Sequence, residues 1–287
     1  MSQSGGRGAD GTSVASTHLL AKELARLPAQ PVAAVRVLQM VEDPRASAAD
    51  LARLIEADPA LSARVIRLAN APYYGLARRV SSASRAVVLL GFSTVRALAV
   101  GAACGLLDDA VRAGSGRTWV HSLTTAASCS VVARAIGYPP SDAFSVGLLH
   151  DVGRTLLERT EPARYQAVTL RMAVDGVDLL EAEEDEFGHD HAWVGADVLE
   201  SWRFPPAFVR AVASHHRPPE VVADTLSRIA IVGHALATEC EDRPNDEPHR
   251  PLAECLDALG FPPARAARFK LEVQRELASL ASFLRVG

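Results

Sequence analysis

No stretch of this chain alternates apolar and polar residues with the two-residue period of a strand, whereas apolar residues recur three and four positions apart along most of it. In "PVAAVRVLQMVED" Pro31 occupies the first turn, and Val32, Val35, Leu38 and Val41 share one face. Such a chain buries its apolar stripes by packing helix on helix. The composition agrees: 48% of residues are hydrophobic but only 5% aromatic, so the apolar content is mostly Ala, Leu and Val. Ala and Leu are strong helix formers, while aromatic and β-branched residues favour strands. The fold class expected is all-α.

Helical patterning is read over 17–27, 31–43, 47–57, where Ser47 and Asp50 make a weak capping box, and 58–71. A further helix over 82–92 stops at Gly91 and restarts near Ser93. Beyond a turn region at 108–118, single helices are expected over 118–136, 141–158, 161–174, 179–186, 189–202, 206–215 and 220–240. A Pro-rich loop over 241–251 and a final helical pair complete the chain. The Gly/Ser-rich residues 1–16 are expected to be disordered.

Several function classes lose support at this stage. A net charge of −4 gives no global basic field for nucleic acid. Arg64, Arg67, Arg78, Arg79, Arg85 and Arg96 alternate with apolar positions and read as solvated helix faces. Cys104, Cys129, Cys240 and Cys255 form no CxxC pair, so reduced, structural thiols are expected. The N-terminus lacks the pattern of a signal peptide. The longest apolar candidate for a membrane span is broken by Gly91, Ser93, Thr94 and Arg96. A cytoplasmic protein with neither a membrane nor a nucleic-acid partner is expected.

What remains unexplained is histidine. Apart from His18 and His249, which fall in polar terminal or loop contexts, the nine histidines cluster in the second half: His121, His150, His189, His191, His215, His216 and His234. His150 adjoins Asp151 in "GLLHDVGRTLLE", inside what reads as an apolar, core-facing helix. A lone histidine on such a face is more often a hydrogen-bonded core residue than a ligand. Several on successive core helices are harder to explain blandly, because each unpaired buried imidazole costs about 1–3 kcal/mol. Gly147, Gly153, Gly195 and Gly233 flank these positions and allow close helix approach. Imidazole and carboxylate donors suit Zn, Fe or Mn.

The blocks "DPALSARVIRLAN", "AVVLLGFSTVRALA", "FSVGLLHDVGR" and "EFGHDHAWVGADVLESWRFP", with "HHRPPE", resemble the HDOD family, the HD-related output domain proteins of bacteria, within the HD superfamily. The resemblance runs from about Leu24 to the C-terminus. It implies a multi-helical domain over 17–287, with an N-terminal helical half (17–115) and an HD-like half (116–287). It also implies a signalling role, usually without demonstrated catalysis. Active superfamily members use His, His-Asp and a distant Asp to hold a divalent metal that activates water against a phosphate ester. Members of the HD-GYP group add histidines and hydrolyse cyclic di-GMP.

On that pattern His121 takes the first ligand position, His150 and Asp151 the central pair, and His191, His215 and His216 the extra positions. His234 stands where active enzymes carry an Asp, Arg117 where many carry a Glu, and Arg154 where a Lys usually follows His-Asp. The metal set is therefore His121, His150, Asp151, His191, His215, His216 and His234, with Arg154 and Arg117 as phosphate contacts. In a hydrolase Asp151 would be catalytic. The metal would be Fe, Mn, Zn or Mg, with at most one held tightly, because imidazole in place of carboxylate raises the charge of the site by one unit. Three readings follow. The first is a regulatory module acting on another signalling protein, and it is preferred. The second is a phosphohydrolase for a nucleotide or cyclic dinucleotide. The third is a sensor that binds without turnover.

Overall fold

The computed structural model describes residues 37, 40, 47–70, 80–104, 116–241 and 250–284. Within them the only regular secondary structure is helical, with no strand. The expected helices over 17–27 and 31–43, the 1–16 segment and most of the 241–251 loop lie outside the described residues. Val37 and Met40 are the exceptions; both are helical, and Val37 is buried.

Three helices form the described part of the first half: α1 (Ala48–Glu56), α2 (Pro59–Ala69) and α3 (Ala83–Ala103). The capping box at α1 is present in both directions, Asp50 N donating to Ser47 Oγ at 3.2 Å and Ser47 N to the Asp50 carboxylate at 3.0 Å. Together these bonds satisfy backbone groups that a bare helix start leaves open. Asn70 ties the end of α2 to the chain entering α3, accepting from Val80 N at 2.9 Å and donating to Val80 O at 2.6 Å.

Gly91 interrupts α3 with φ 77° and ψ 162°, a conformation glycine adopts without a Cβ penalty, and the helix then continues to Ala103. By length and composition alone Ala83–Ala102 is apolar enough to cross a membrane, but 67% of its most apolar window is buried inside the protein. It packs on α1, α2 and α5 and so belongs to the core.

The second half contains α4 (Gly116–Ile136), α5 (Pro140–Leu149), α6 (Val152–Thr160), α7 (Pro162–Asp175), α8 (Leu179–Phe187), α9 (His191–Ser201), α10 (Pro206–Ala213), α11 (Thr225–Cys240), α12 (Leu252–Asp257) and α13 (Arg265–Leu284). The most extensive helix–helix packing is between α4 and α5, then between α4 and α11. One hydrophobic cluster runs from Val37 and Leu51 through Leu123, Phe144 and Ile229 to Leu280, so a continuous core joins both halves.

Arg96 departs from the solvated arginine expected of it. It is 8% exposed, donates from Nη2 to the Trp202 carbonyl at 2.7 Å, and places its guanidinium 3.7 Å from the centre of the Phe204 ring. A guanidinium tolerates this because a carbonyl and an aromatic face replace part of its hydration. It thereby links α3 to the end of α9. Arg64 is partly exposed, Arg67 and Arg85 are exposed, and Arg78 and Arg79 lie outside the described residues.

Two expected helices are shorter or divided. Residues 220–240 begin with a 3-10 turn, Pro219–Val221, and an extended Val222. The α-helix starts only at Thr225, because Asp224 caps it by accepting from Ser227 N at 3.1 Å. Residues 141–158 form two helices, α5 and α6, which meet at His150 and Asp151.

The glycines around this junction have the expected effect. A Cβ on Gly153 would collide with the His191 carbonyl and lie 2.5 Å from Gly195 N, so α6 and α9 touch backbone to backbone. On Gly147 it would lie 2.6 Å from the Thr125 carbonyl oxygen of α4, and on Gly233 it would strike Cys129 Sγ. Backbone cannot yield as a side-chain tip can. Gly153→Ala is therefore expected to destabilise the protein by about 1–3 kcal/mol or more, the ordinary cost of overpacking a tight core. Thermal denaturation of the variant checks this, and an unchanged melting temperature would contradict the backbone contact.

Candidate metal centre

Why does the helix divide at His150–Asp151? Asp151 has φ −100° and ψ 18°, outside the helical range, and stands at the N-cap of α6. An N-cap Asp ordinarily accepts from the second or third amide of its helix. Here its carboxylate makes no such cap. It turns instead into a group of imidazoles, and the bend delivers it there.

Asp151 Oδ1 lies 3.2 Å from His150 Nε2, 3.4 Å from His215 Nε2 and 3.5 Å from His191 Nε2, while Oδ2 lies 3.9 Å from His121 Nε2. His191 Nε2 is 3.0 Å from His216 Nε2. Two donor groups result: Asp151, His191, His215 and His216, and beside them His121, His150 and His234, with the donor atoms of each group within 4.8 Å of one another. The histidines come from α4 (His121), the α5–α6 junction (His150), the start of α9 (His191), the turn after α10 (His215, His216) and α11 (His234). All seven expected metal ligands are thus brought together, by segments that are remote in sequence. His189 is not among them; it stacks on Trp193 with ring centres 3.8 Å apart.

The rings are held from behind. His150 Nδ1–H donates to the Gly147 carbonyl at 2.8 Å and His215 Nδ1–H to the Val212 carbonyl at 2.7 Å. A carbonyl only accepts, so in each neutral ring the lone pair is on Nε2. His121 Nδ1 bonds Glu241 at 2.9 Å, and His191 Nδ1 bonds Glu183 at 2.6 Å. Glu183 also accepts from His191 N at 2.8 Å and from the Tyr165 hydroxyl at 3.0 Å. Outer partners of this kind fix the tautomer and aim of metal-binding histidines. His150 Nε2, His215 Nε2 and Asp151 Oδ1 are buried without a hydrogen-bond partner within the protein. Buried polar atoms are rarely left so, and a cation among them would satisfy all three.

The electrostatics point the same way. Burial pushes His150 well below the usual imidazole range, against the pull of Asp151, so it is neutral and able to ligate. Burial also works to raise Asp151, but the imidazoles of His150, His191 and His215 around it outweigh that and hold the carboxyl well below its ordinary value. His191 moves the other way. Burial works to lower it, yet the charges of Glu183 and Asp151 and the hydrogen bond to Glu183 keep it well above the usual range.

Arg154 does not line this cluster. It bonds Glu158 at 3.2 Å and lines a separate cavity of about 680 Å³ with Tyr165, Met172 and Leu179. The side chain of Arg117, near the start of α4, lies outside the described residues. Among the described residues, a cleft of about 10 Å³ lined by His215, His216 and His234, with Arg217 and Arg250 among its other residues, opens onto the histidines. Neither arginine stands out in sequence. Glu183 and Glu241 were not singled out either. Glu183 does carry a signal, since it shares the buried face of α8 with Leu179 and Ala182 at helical spacing. Glu241 lies where a loop was expected, just beyond α11, and nothing local marks it.

The family model described as HDOD domain matches residues 27–218. A structure from Shewanella amazonensis SB2B, described as a candidate phosphohydrolase, is 25% identical and superposes with a TM-score of 0.70, over 93% of this chain and 98% of that one. An HDOD domain protein of unknown function from Geobacter sulfurreducens is 26% identical, with a TM-score of 0.62 over 95% and 97%. A Treponema pallidum (strain Nichols) protein that carries no functional name is 22% identical over 76% of this chain and 43% of its own length. This chain spans less than half the length of the curated relatives it matches.

His191 links metal uptake to pH. With its affinity for protons raised, it is cationic near neutral pH in the metal-free protein and must lose that proton to bind an ion. Metal loading is therefore expected to release protons and to strengthen as pH rises. Calorimetric titration in buffers of different ionisation enthalpy reads this directly. An affinity independent of pH between about 6 and 8, around the unperturbed histidine value, would contradict it.

Proposed function

The chain belongs to the HDOD domain family, and from that premise we propose that it is a signalling protein whose histidine pocket binds divalent metal and acts by binding rather than turnover. The observation that carries this reading is the convergence of buried Nε2 atoms on Asp151. A donor set of six imidazoles and one carboxylate favours Fe, Mn or Zn over Mg, which prefers oxygen. Among the described residues the cleft of about 10 Å³ has space for about one water molecule. In this conformation the pocket supports metal retention better than passage of a bulky substrate. The signal would then reach a partner signalling protein through the helical surface, with a nucleotide or cyclic dinucleotide as a candidate effector.

When bound, the metal would supply a Lewis-acid centre and lower the pKa of a coordinated water. The residues of the chain prepare for it. Asp151 contributes charge from a helix junction that leaves its oxygens uncapped. Gly147 and Val212 hold His150 and His215 in the ligating tautomer, and Glu183 and Glu241 hold His191 and His121.

A second reading, hydrolysis of a phosphate ester, draws on Arg217 and Arg250 beside the cleft, where guanidinium groups suit an anionic ester. The similarity to a candidate phosphohydrolase adds to it.

Elemental analysis of protein purified without added metal, with His150→Ala alongside, tests the binding reading. The wild type is expected to carry divalent metal and the variant much less; equal contents would overturn the proposal. A screen of nucleotides and cyclic dinucleotides with Mn or Fe separates the two readings. No turnover is expected. Hydrolysis abolished by Asp151→Asn would establish the enzyme instead.

A further inference from the structure

Each donor group has its own carboxylate behind it. Glu183 stands behind His191 in the group that contains Asp151, and Glu241 stands behind His121 in the all-imidazole group. Neither glutamate belongs to a donor group. Their surroundings differ sharply. Glu183 is completely buried and accepts three hydrogen bonds, from His191 N, His191 Nδ1 and the Tyr165 hydroxyl. The Glu241 side chain is 23% exposed and follows the last residue of α11.

Charge makes this difference consequential. Among the inner donors only Asp151 carries a negative charge, while two dications would bring four positive charges. That imbalance was the basis for expecting at most one tightly held ion. The two outer glutamates reduce it, because a carboxylate bonded to the far nitrogen of an imidazole makes the near nitrogen a stronger donor. A buried carboxylate acts through low dielectric with little screening, whereas an exposed one is screened.

Resting on the reading that the pocket binds divalent metal, we infer that Glu183 and Glu241 are positioning residues that divide the centre into two unequal subsites. The subsite of Asp151, His191, His215 and His216, backed by Glu183, is tight. The subsite of His121, His150 and His234, backed by Glu241, is looser and fills second. Asp151 joins them: Oδ1 faces His191 and His215 of one group and His150 of the other, and Oδ2 faces His121.

The test is titration of the metal-free full chain with Co²⁺, followed by its visible spectrum and by competition with a chromophoric chelator. The wild type should bind in two steps. Glu183→Gln keeps size and leaves one oxygen to accept from His191, with the NH2 facing the Tyr165 hydroxyl, but removes charge, and should weaken mainly the first step, by about 10–100-fold. Glu241→Gln should weaken mainly the second. If Glu183→Gln fails to fold, as judged by circular dichroism without metal, Tyr165→Phe removes only a bond to Glu183 and should act on the same step with smaller size. A single binding step in the wild type overturns the inference, as do glutamine variants that alter the same step or neither. In those cases metal is still bound and the functional proposal stands. A wild type that takes up no Co²⁺ overturns both.

Discussion

The contact on which the site depends is between backbones. At Gly153 and Gly195 helices α6 and α9 approach until no methyl group fits between them. Gly147 does the same for α5 against α4, and Gly233 for α11 against α4. These approaches lie one to four residues from His150, Asp151, His191 and His234. An imidazole reaches only a few ångströms from its backbone, so rings on separate helices converge only if the helices themselves are this close. The small residues and the ligands are two parts of one geometric requirement.

Closeness alone would bury polar groups at a cost. Six of the pocket side chains, His121, His150, Asp151, His191, His215 and His234, are buried, and so is Glu183 behind them. Unsatisfied, such groups would strain a marginally stable fold. The protein meets this by assigning partners to the outer nitrogens, from the Gly147 and Val212 carbonyls or the Glu183 and Glu241 carboxylates. The inner atoms then face one another around Asp151. That outer layer gives the imidazoles both orientation and negative charge.

The site is also tied to the first half of the molecule. Arg96 of α3 lies on the Phe204 ring and bonds the Trp202 carbonyl just beyond α9, the helix that begins with His191. The packing of α3 on α5 makes a second connection, to the helix that ends at His150. Both routes lead from the first-half helices to the backbone that carries the histidines.

The helical class, the capping box at Ser47 and the break at Gly91 were legible in sequence because each rests on local interactions. The candidate ligands were legible too, since histidines among apolar residues stand out whatever their partners. What sequence spacing misread was set by contacts between distant segments. A continuous helix over 141–158 was reasonable from its periodicity, yet Asp151 leaves helical geometry where α4 and α9 pack against both sides of the junction. Arg96 looked like any surface arginine until Phe204 and Trp202, remote in the chain, enclosed it. Glu183 and Glu241 act only through imidazoles that folding brings to them. By itself the sequence determined that helices would form and which residues were chemically able to bind metal, because propensity and side-chain chemistry are local properties. Only the tertiary structure decided that they form two adjoining groups around one carboxylate, because backbone contact between remote helices sets those distances.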